Sequence, residues 1–254
     1  MNEYKGFDEN LSLNGKIALI TGAASGIALA TSQMMTRKGA RVIMADRNSK
    51  VVEEAEKIPG AIPIILDITD YAAIEAAVER VVCEVGNIDI LCNIAGLGSG
   101  TPVTQIPHEE FDQVLKVNLN AAFYMSQIVG KQMIAAGKGG RIISMASQAG
   151  IVAIDGHVAY SSSKAGLMAM TRDLALEWGK YGITANTVAP TVVMTPMAKD
   201  YWVGERGEAH LAQIPVGRFA EMDEIAMAVC YLASDAAAMI NGANLVVDGG
   251  FTIG

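Results

Sequence analysis

A chain of 254 residues, 51% hydrophobic and 18% charged, is long enough for one α/β domain with a large core, and two small domains are disfavoured. A net charge of −8 argues against nucleic acid and against an anionic membrane surface as partners. Three cysteines, Cys83, Cys92 and Cys230, make an odd count with no C-x-x-C pair, so no disulfide framework is implied and a reduced, cytoplasmic setting is expected.

The polar opening MNEYKGFDENLSLNGK does not read as a leader peptide, and no apolar run approaches the ~20 residues of a membrane span. Lys16–Thr21 reads as a strand that runs into the turn TGAASGIA, and a helix follows from Gly26 to Lys38, closed by Gly39. Arg41–Ala45 is the second strand, with Asp46 at its carboxyl end. A short helix at Ser49–Lys57 leads to a strand at Ala61–Leu66 and then to Asp67. Further helices are expected at Tyr71–Val85 and His157–Tyr181, helical pattern over Glu109–Ala136, and further strands at Ile88–Cys92, Arg141–Met145, Thr184–Val188 and Asn244–Val247. The strands are nearly unbroken runs of Ile, Val, Leu and Ala, as parallel strands covered on both faces read. The alternation predicts a single doubly wound Rossmann-type domain over residues 1–254, with a parallel sheet of about seven strands. Residues 190–215 are the least regular part and read as a substrate-loop segment.

In such sheets the ligand crevice lies beyond the carboxyl ends of the strands, and the motifs cluster there. Glycines in Thr21–Ala28 allow a tight turn, so that backbone N–H groups near Gly22, Ser25, Gly26 and Ile27 approach a pyrophosphate at a helix N-terminus. Asp46 falls where a carboxylate would hold a ribose 2′-hydroxyl and repel a 2′-phosphate, so NAD is the expected cofactor. Arg47 is the second choice there, since it would hold a 2′-phosphate only if Asp46 turned away. Asp67, with the Ile68 backbone beside it, either lines the adenine pocket or caps the next helix.

Tyr160 and Lys164 lie one helical turn apart, which places their Cβ atoms about 5–6 Å from each other. A phenol titrates near pH 10, and a neighbouring ammonium favours the phenolate. The pair therefore suits proton transfer at a hydroxyl or carbonyl.

Taken together, these motifs resemble those of the short-chain dehydrogenase/reductase family over residues from about 13 to 250. Thr21-Gly22-x-x-x-Gly26-x-Ala28 is similar to the family's T-G-x-x-x-G-x-G, Asn93-Ile94-Ala95-Gly96 to its N-N-A-G, and Tyr160-x-x-x-Lys164 to its base and lysine. Val247-Asp248-Gly249-Gly250 resembles its C-terminal signature. The resemblance implies catalytic roles for Asn118, Ser147, Tyr160 and Lys164, with Ser144 excluded as too far along the chain from Tyr160. It also implies cofactor contacts at Asn93, Ala95, Gly96, Tyr160, Lys164, Pro190, Val193 and Thr195. Three departures stand out: Ala28 for the third glycine, Ile94 for the second asparagine, and Thr191 for the glycine after Pro190. Ser161, Ser162 and Ser163 read as small helix-packing residues.

Leu97–Pro102, Gln148–His157 and Thr191–Gln213 are the expected pocket walls, with Gln148, Asp155, His157 and Trp202 as polar or aromatic contacts. Ser147, Gln148, His157 and Tyr160 are the candidate substrate residues, although a capping or surface role suits His157 equally well. The opening is similar to that of sugar-alcohol dehydrogenases in the family, which favours a polyol or sugar-derived ketone. A 3-oxoacyl-thioester reductase using NADPH is the alternative, and a catalytically silent dinucleotide-binding regulator the alternative of another class. Val158, Leu167, Met168, Met170 and Leu174 form an apolar stripe that could meet a symmetry mate, and the resemblance implies a homotetramer. No metal site is expected.

Overall fold

The computed structural model describes residues 10–195, 198 and 202–254. Expectations that rest on residues 1–9, on Pro196 and Met197, or on residues 199–201 lie outside these.

Seven strands form one sheet in the order β3-β2-β1-β4-β5-β6-β7, and every pairing is parallel. They are β1 (Ile17–Thr21), β2 (Arg41–Asp46), β3 (Ile62–Ile65), β4 (Ile90–Asn93), β5 (Gly140–Met145), β6 (Ile183–Pro190) and β7 (Asn244–Val247). The order reverses between β1 and β4, and this switch point opens the ligand crevice beyond their carboxyl ends.

Alternation along the strands divides the core between the two faces of the sheet. From β1, Ala18 and Ile20 join one apolar cluster and Leu19 the other. The first cluster is closed by α1 (Gly26–Arg37) and a helix at Met222–Ala233, through Met35, Ile225 and Val229. The second is closed by Ile74 and Val78 of α3 (Tyr71–Glu84), by Met125, Val129 and Met133 of α5 (Ala121–Ala136), and by Leu174 of α6 (Val158–Trp178). Helix α2 (Lys50–Glu56) bridges β2 and β3. Among the described residues no helix is long and apolar enough to cross a membrane.

Helical structure fills the stretch expected at Glu109–Ala136, as α4 (His108–Leu115) and α5 joined without a break by a π-helical turn at Lys116–Asn120. Such turns insert a residue and rotate the side chains that follow. Here the turn carries Asn118, which is 1% exposed. Sequence periodicity does not show this shift, because one extra residue blurs the pattern without breaking it.

The apolar stripe assigned to subunit contact is largely internal. Leu167, Met168 and Leu174 are buried within the chain, and Met170 packs against the second cluster. The large apolar groups left exposed on α5 and α6 are Phe123 and Leu176. An apolar stripe on a helix looks the same in sequence whether its own sheet or another subunit covers it.

Candidate active site

A cleft of about 1120 Å³ runs along the carboxyl ends of the strands, from Asp46 and Asp67 at one end to Tyr160 and Trp202 at the other. Its cofactor half is built on the turn after β1. Gly22 has φ +76°, and a Cβ there would stand 2.9 Å from the Ala95 Cα. Only glycine allows both that backbone and that approach of β1 to the end of β4. Thr21 fastens the same junction: its Oγ1 donates to the Cys92 carbonyl and accepts from the N–H groups of Ile94 and Ala95. Gly26 also has positive φ, and Ala28 fits into the first apolar cluster in place of the family's third glycine.

Ser25 stands at the N-cap of α1 with extended backbone, yet its side chain makes no capping bond. Ser25, Gly26 and Ile27 line the cleft. The uncapped first turn is therefore a cradle of N–H donors at the positive end of a helix, which fits a pyrophosphate.

Asp46 accepts from the Ala24 N–H at 3.0 Å through one oxygen and from the Asn48 N–H at 2.8 Å through the other. The carboxylate braces the glycine turn while lining the cleft, with Arg47 beside it. Asp67 and Ile68 also line the cleft. The cap of α3 is Asp70, which accepts from the Ala73 N–H, so of the two readings of Asp67 the helix cap is excluded. Asp67 instead accepts from the Thr69 N–H and hydroxyl, and those bonds hold it below the usual carboxylate range.

Asn93 is placed differently from Ala95 and Gly96. Those two line the cleft, whereas the Asn93 amide is buried behind it and donates to Ser126, with longer contacts to Ser144 and the Ala122 carbonyl. Its side chain joins β4 to α5 and β5, so it shapes the cleft from behind. Pro190, Val193 and Thr195 line the opposite wall.

Ser147, Tyr160 and Lys164 converge at the other half of the cleft. Lys164 Nζ lies 5.5 Å from the centroid of the Tyr160 ring and donates to the Met145 carbonyl at 2.6 Å. Burial lowers the lysine pKa to about 8. The Tyr160 phenol is pushed up from its ordinary value by burial, and its hydrogen bond with Ser147 pulls the other way. Burial, opposite in sign to the expected pull of Lys164, is the larger influence on the phenol. The ammonium itself is engaged with the Met145 carbonyl.

Asn118 is more fully engaged than expected. Its Oδ1 accepts from the Leu97 N–H at 2.7 Å, and its Nδ2 donates to the Leu97 carbonyl and to Ser163 Oγ. Ser163 in turn donates to the Tyr160 carbonyl. Ser163, read from sequence as a packing residue, therefore ties the π-turn to the helix of the base. A Cβ on Gly96 would stand 3.2 Å from Asn118 Oδ1 and 3.5 Å from Lys164 Nζ, which places all three at one point.

The substrate wall combines separate segments. Leu97, Gly98, Ser99 and Gly100 line it, and Glu110 holds their loop by accepting from the Ser99 and Thr101 hydroxyls. His157 lines the cleft at the N-terminus of α6 without capping it, and its Nδ1 donates to the Asp155 carbonyl. Asp155 itself does not line the cleft. Gln148 does, and its Nε2 lies 3.1 Å from Nε2 of His210. His210 belongs to α7 (Gly204–Leu211), and its ring stacks on Phe251 at 4.6 Å and meets Trp202 at 4.5 Å. Neither His210 nor Phe251 carries a local signal in sequence. No group of acidic, Cys or His side chains suited to a metal occurs among the described residues.

The parallel sheet with its ligand cleft at the switch point, and the Ser147–Tyr160–Lys164 grouping inside it, define a dinucleotide-dependent oxidoreductase. Comparison with known proteins narrows the class. A profile described as enoyl-(acyl carrier protein) reductase matches residues 22–252. The chain is 47% identical to the D-threitol dehydrogenase of Mycolicibacterium smegmatis, over 97% of this chain and 96% of that one. It is 42% identical to the NAD-dependent glycerol dehydrogenase of Listeria innocua, over 98% and 99%. A crystal structure of a gluconate 5-dehydrogenase from Burkholderia cenocepacia in complex with NADP and tartrate superposes with a TM-score of 0.94 at 30% identity, covering 97% of this chain and 99% of that one. The chain belongs to the short-chain dehydrogenase/reductase family, whose members act on CH–OH groups.

Proposed function

We propose that this protein is an NAD-dependent dehydrogenase that interconverts a small polyol and its ketose or hydroxyketone. The observation that carries the reading is the convergence of Ser147, Tyr160 and Lys164 in a cleft whose far end presents Asp46. A bound nicotinamide supplies the hydride acceptor or donor. Gly22, Ser25, Gly26 and Ile27 would hold the pyrophosphate. Asp46 would hold the adenosine ribose, Asp67 and Ile68 the adenine, and Pro190, Val193 and Thr195 the nicotinamide end, with Ala95 and Gly96 beneath.

In oxidation, Tyr160 as phenolate takes the proton of the substrate hydroxyl; in reduction it returns one to the carbonyl oxygen. Ser147 hydrogen-bonds the same oxygen and stabilises the charge that develops on it. Lys164 supplies positive charge beside the ring, and Asn118 fixes Leu97 and the Gly96 backbone around the ammonium. Burial raises the phenol's pKa, so oxidation gains as pH rises toward it, whereas reduction needs the phenol protonated and is sustained at neutral pH.

A polyol agrees with the relatives that act on threitol and glycerol, and with a cleft holding Gln148, His157 and Thr191. The 3-oxoacyl-thioester reading is disfavoured by Asp46, which would oppose the 2′-phosphate of NADPH. The silent-regulator reading is disfavoured by the retention of all four tetrad residues. Three free cysteines, two of them buried, support a reducing, cytoplasmic setting. The test is a panel of C3–C6 polyols and an acetoacetyl thioester with NAD(H) and NADP(H). Polyol-dependent NADH formation is expected. Clear NAD binding with no turnover of any alcohol or ketone would return the regulator reading.

We also propose a homotetramer. Exposed Phe123 and Leu176 supply apolar surface on one side, and Met227, Tyr231 and Val246 near the β7 edge supply it on another. Light scattering is expected to give four times the chain mass, and a monomer at micromolar concentration refutes the assembly.

A further inference from the structure

Gln148 follows the catalytic Ser147 directly and is 2% exposed, yet its Oε1 has no hydrogen-bond partner among the described residues. A buried polar atom without a partner marks a place where a ligand atom belongs. The other end of the same amide is engaged, because Nε2 meets His210 Nε2 at 3.1 Å. An amide NH₂ only donates, so the imidazole Nε2 must accept and the ring proton must sit on Nδ1.

His210 is held in place for this role. It is 6% exposed and packs against the Trp202 and Phe251 rings. Phe251 is fixed in turn by Asp248, which accepts from the Gly250 and Thr252 N–H groups and from the Thr252 hydroxyl. The Gly249 carbonyl accepts from the Val216 N–H, tying this C-terminal turn to the segment after α7. Burial pulls the imidazole's pKa down and so favours the neutral ring that can accept. A second buried atom, Thr191 Oγ1, also has no hydrogen-bond partner among the described residues, and Thr191 lines the same cleft.

We propose that His210 sets the direction of the Gln148 amide, so that an acceptor faces the cleft and selects substrates with a hydroxyl donor beside the reacting carbon. This deepens the polyol reading and rests on it. A hydroxyl donates to Oε1, whereas a keto oxygen or carboxylate at that position meets another acceptor and is disfavoured. Thr191 Oγ1 can both donate and accept, which suits a second hydroxyl. His210 is a positioning residue: it acts through Gln148.

The experiment compares threitol, a tetrol with a hydroxyl on each neighbouring carbon, and the vicinal diol 2,3-butanediol with 2-butanol, which has one hydroxyl, using the enzyme with saturating NAD. His210→Phe keeps an aromatic ring but removes the acceptor. It is expected to lower the kcat/KM preference for threitol and for the diol over 2-butanol at least about tenfold, mainly through KM. His210→Gln, which restores an acceptor, is expected to recover most of that preference, and Gln148→Met to lose it as His210→Phe does. Equal losses on all three alcohols, or an unchanged preference in His210→Phe, overturn the proposal while leaving the dehydrogenase reading intact. A wild type that oxidises no polyol overturns both.

Discussion

Tyr160→Phe is expected to lower turnover by about 10²–10⁴-fold while leaving NAD affinity near that of the wild type. The substitution removes one oxygen and keeps the ring, so its packing against Lys164 and His157 survives. What disappears is the group proposed to exchange a proton with the substrate oxygen. Ser147 remains, but a serine hydroxyl has no accessible anionic form at neutral pH and cannot replace the phenolate. Steady-state kinetics with fluorescence titration of NADH separate the two quantities. The wild type should also show oxidation rising through the alkaline range, because burial holds the phenol above its ordinary pKa. The phenylalanine variant, with no ionisable oxygen on the ring, cannot produce that rise. Equal loss of cofactor affinity would mean that the ring, rather than its hydroxyl, was the essential element.

The second large effect is expected at the other end of the cleft. Asp46→Ala should reduce the preference for NAD over NADP by roughly 10–100-fold, the equivalent of losing a charge-assisted hydrogen bond of about 1.5–3 kcal/mol. Two changes act in the same direction. The ribose hydroxyl loses its acceptor, and a 2′-phosphate no longer meets a carboxylate, while Arg47 stands beside the vacated position. The Ala24 and Asn48 N–H groups also lose their partner, so the glycine turn should loosen and affinity for both dinucleotides should fall. Asp46→Asn separates these effects, since its amide oxygen can still brace one N–H without the charge. Continued refusal of NADP by the alanine variant in kinetics with both cofactors would show that Asp46 does not set the preference.

Much of the fold was legible because its signals are local and repeated. Each strand is a short apolar run, each helix a longer periodic one, and β-rich runs alternate with helices along the chain. Parallel order with right-handed crossovers then leaves few topologies. The cofactor turn was legible for a related reason: positive φ at Gly22 and Gly26 demands glycine, and glycine is visible as a letter. The Tyr160–Lys164 pair was legible because helical spacing converts directly into proximity.

Other features depend on which side chains meet after folding, and no local pattern records that. Asn118 gave no sign that it would hold Leu97 and Ser163, since the π-turn that directs it is set by packing among three segments. Asn93 sits in a motif expected to touch cofactor, yet its amide turns inward to Ser126. The upward push of burial on the Tyr160 phenol was not legible, because desolvation is a property of the whole surrounding volume and spacing along a helix reports only a distance.

The sequence by itself determined the sheet, the glycine turn after β1 and the proximity of Tyr160 and Lys164, because these follow from residue type and short-range geometry. Only the tertiary structure brought Gln148 to the cleft wall and set His210 against its amide. His210 and Phe251 lie in segments separated along the chain, and their rings stack only once those segments fold against each other.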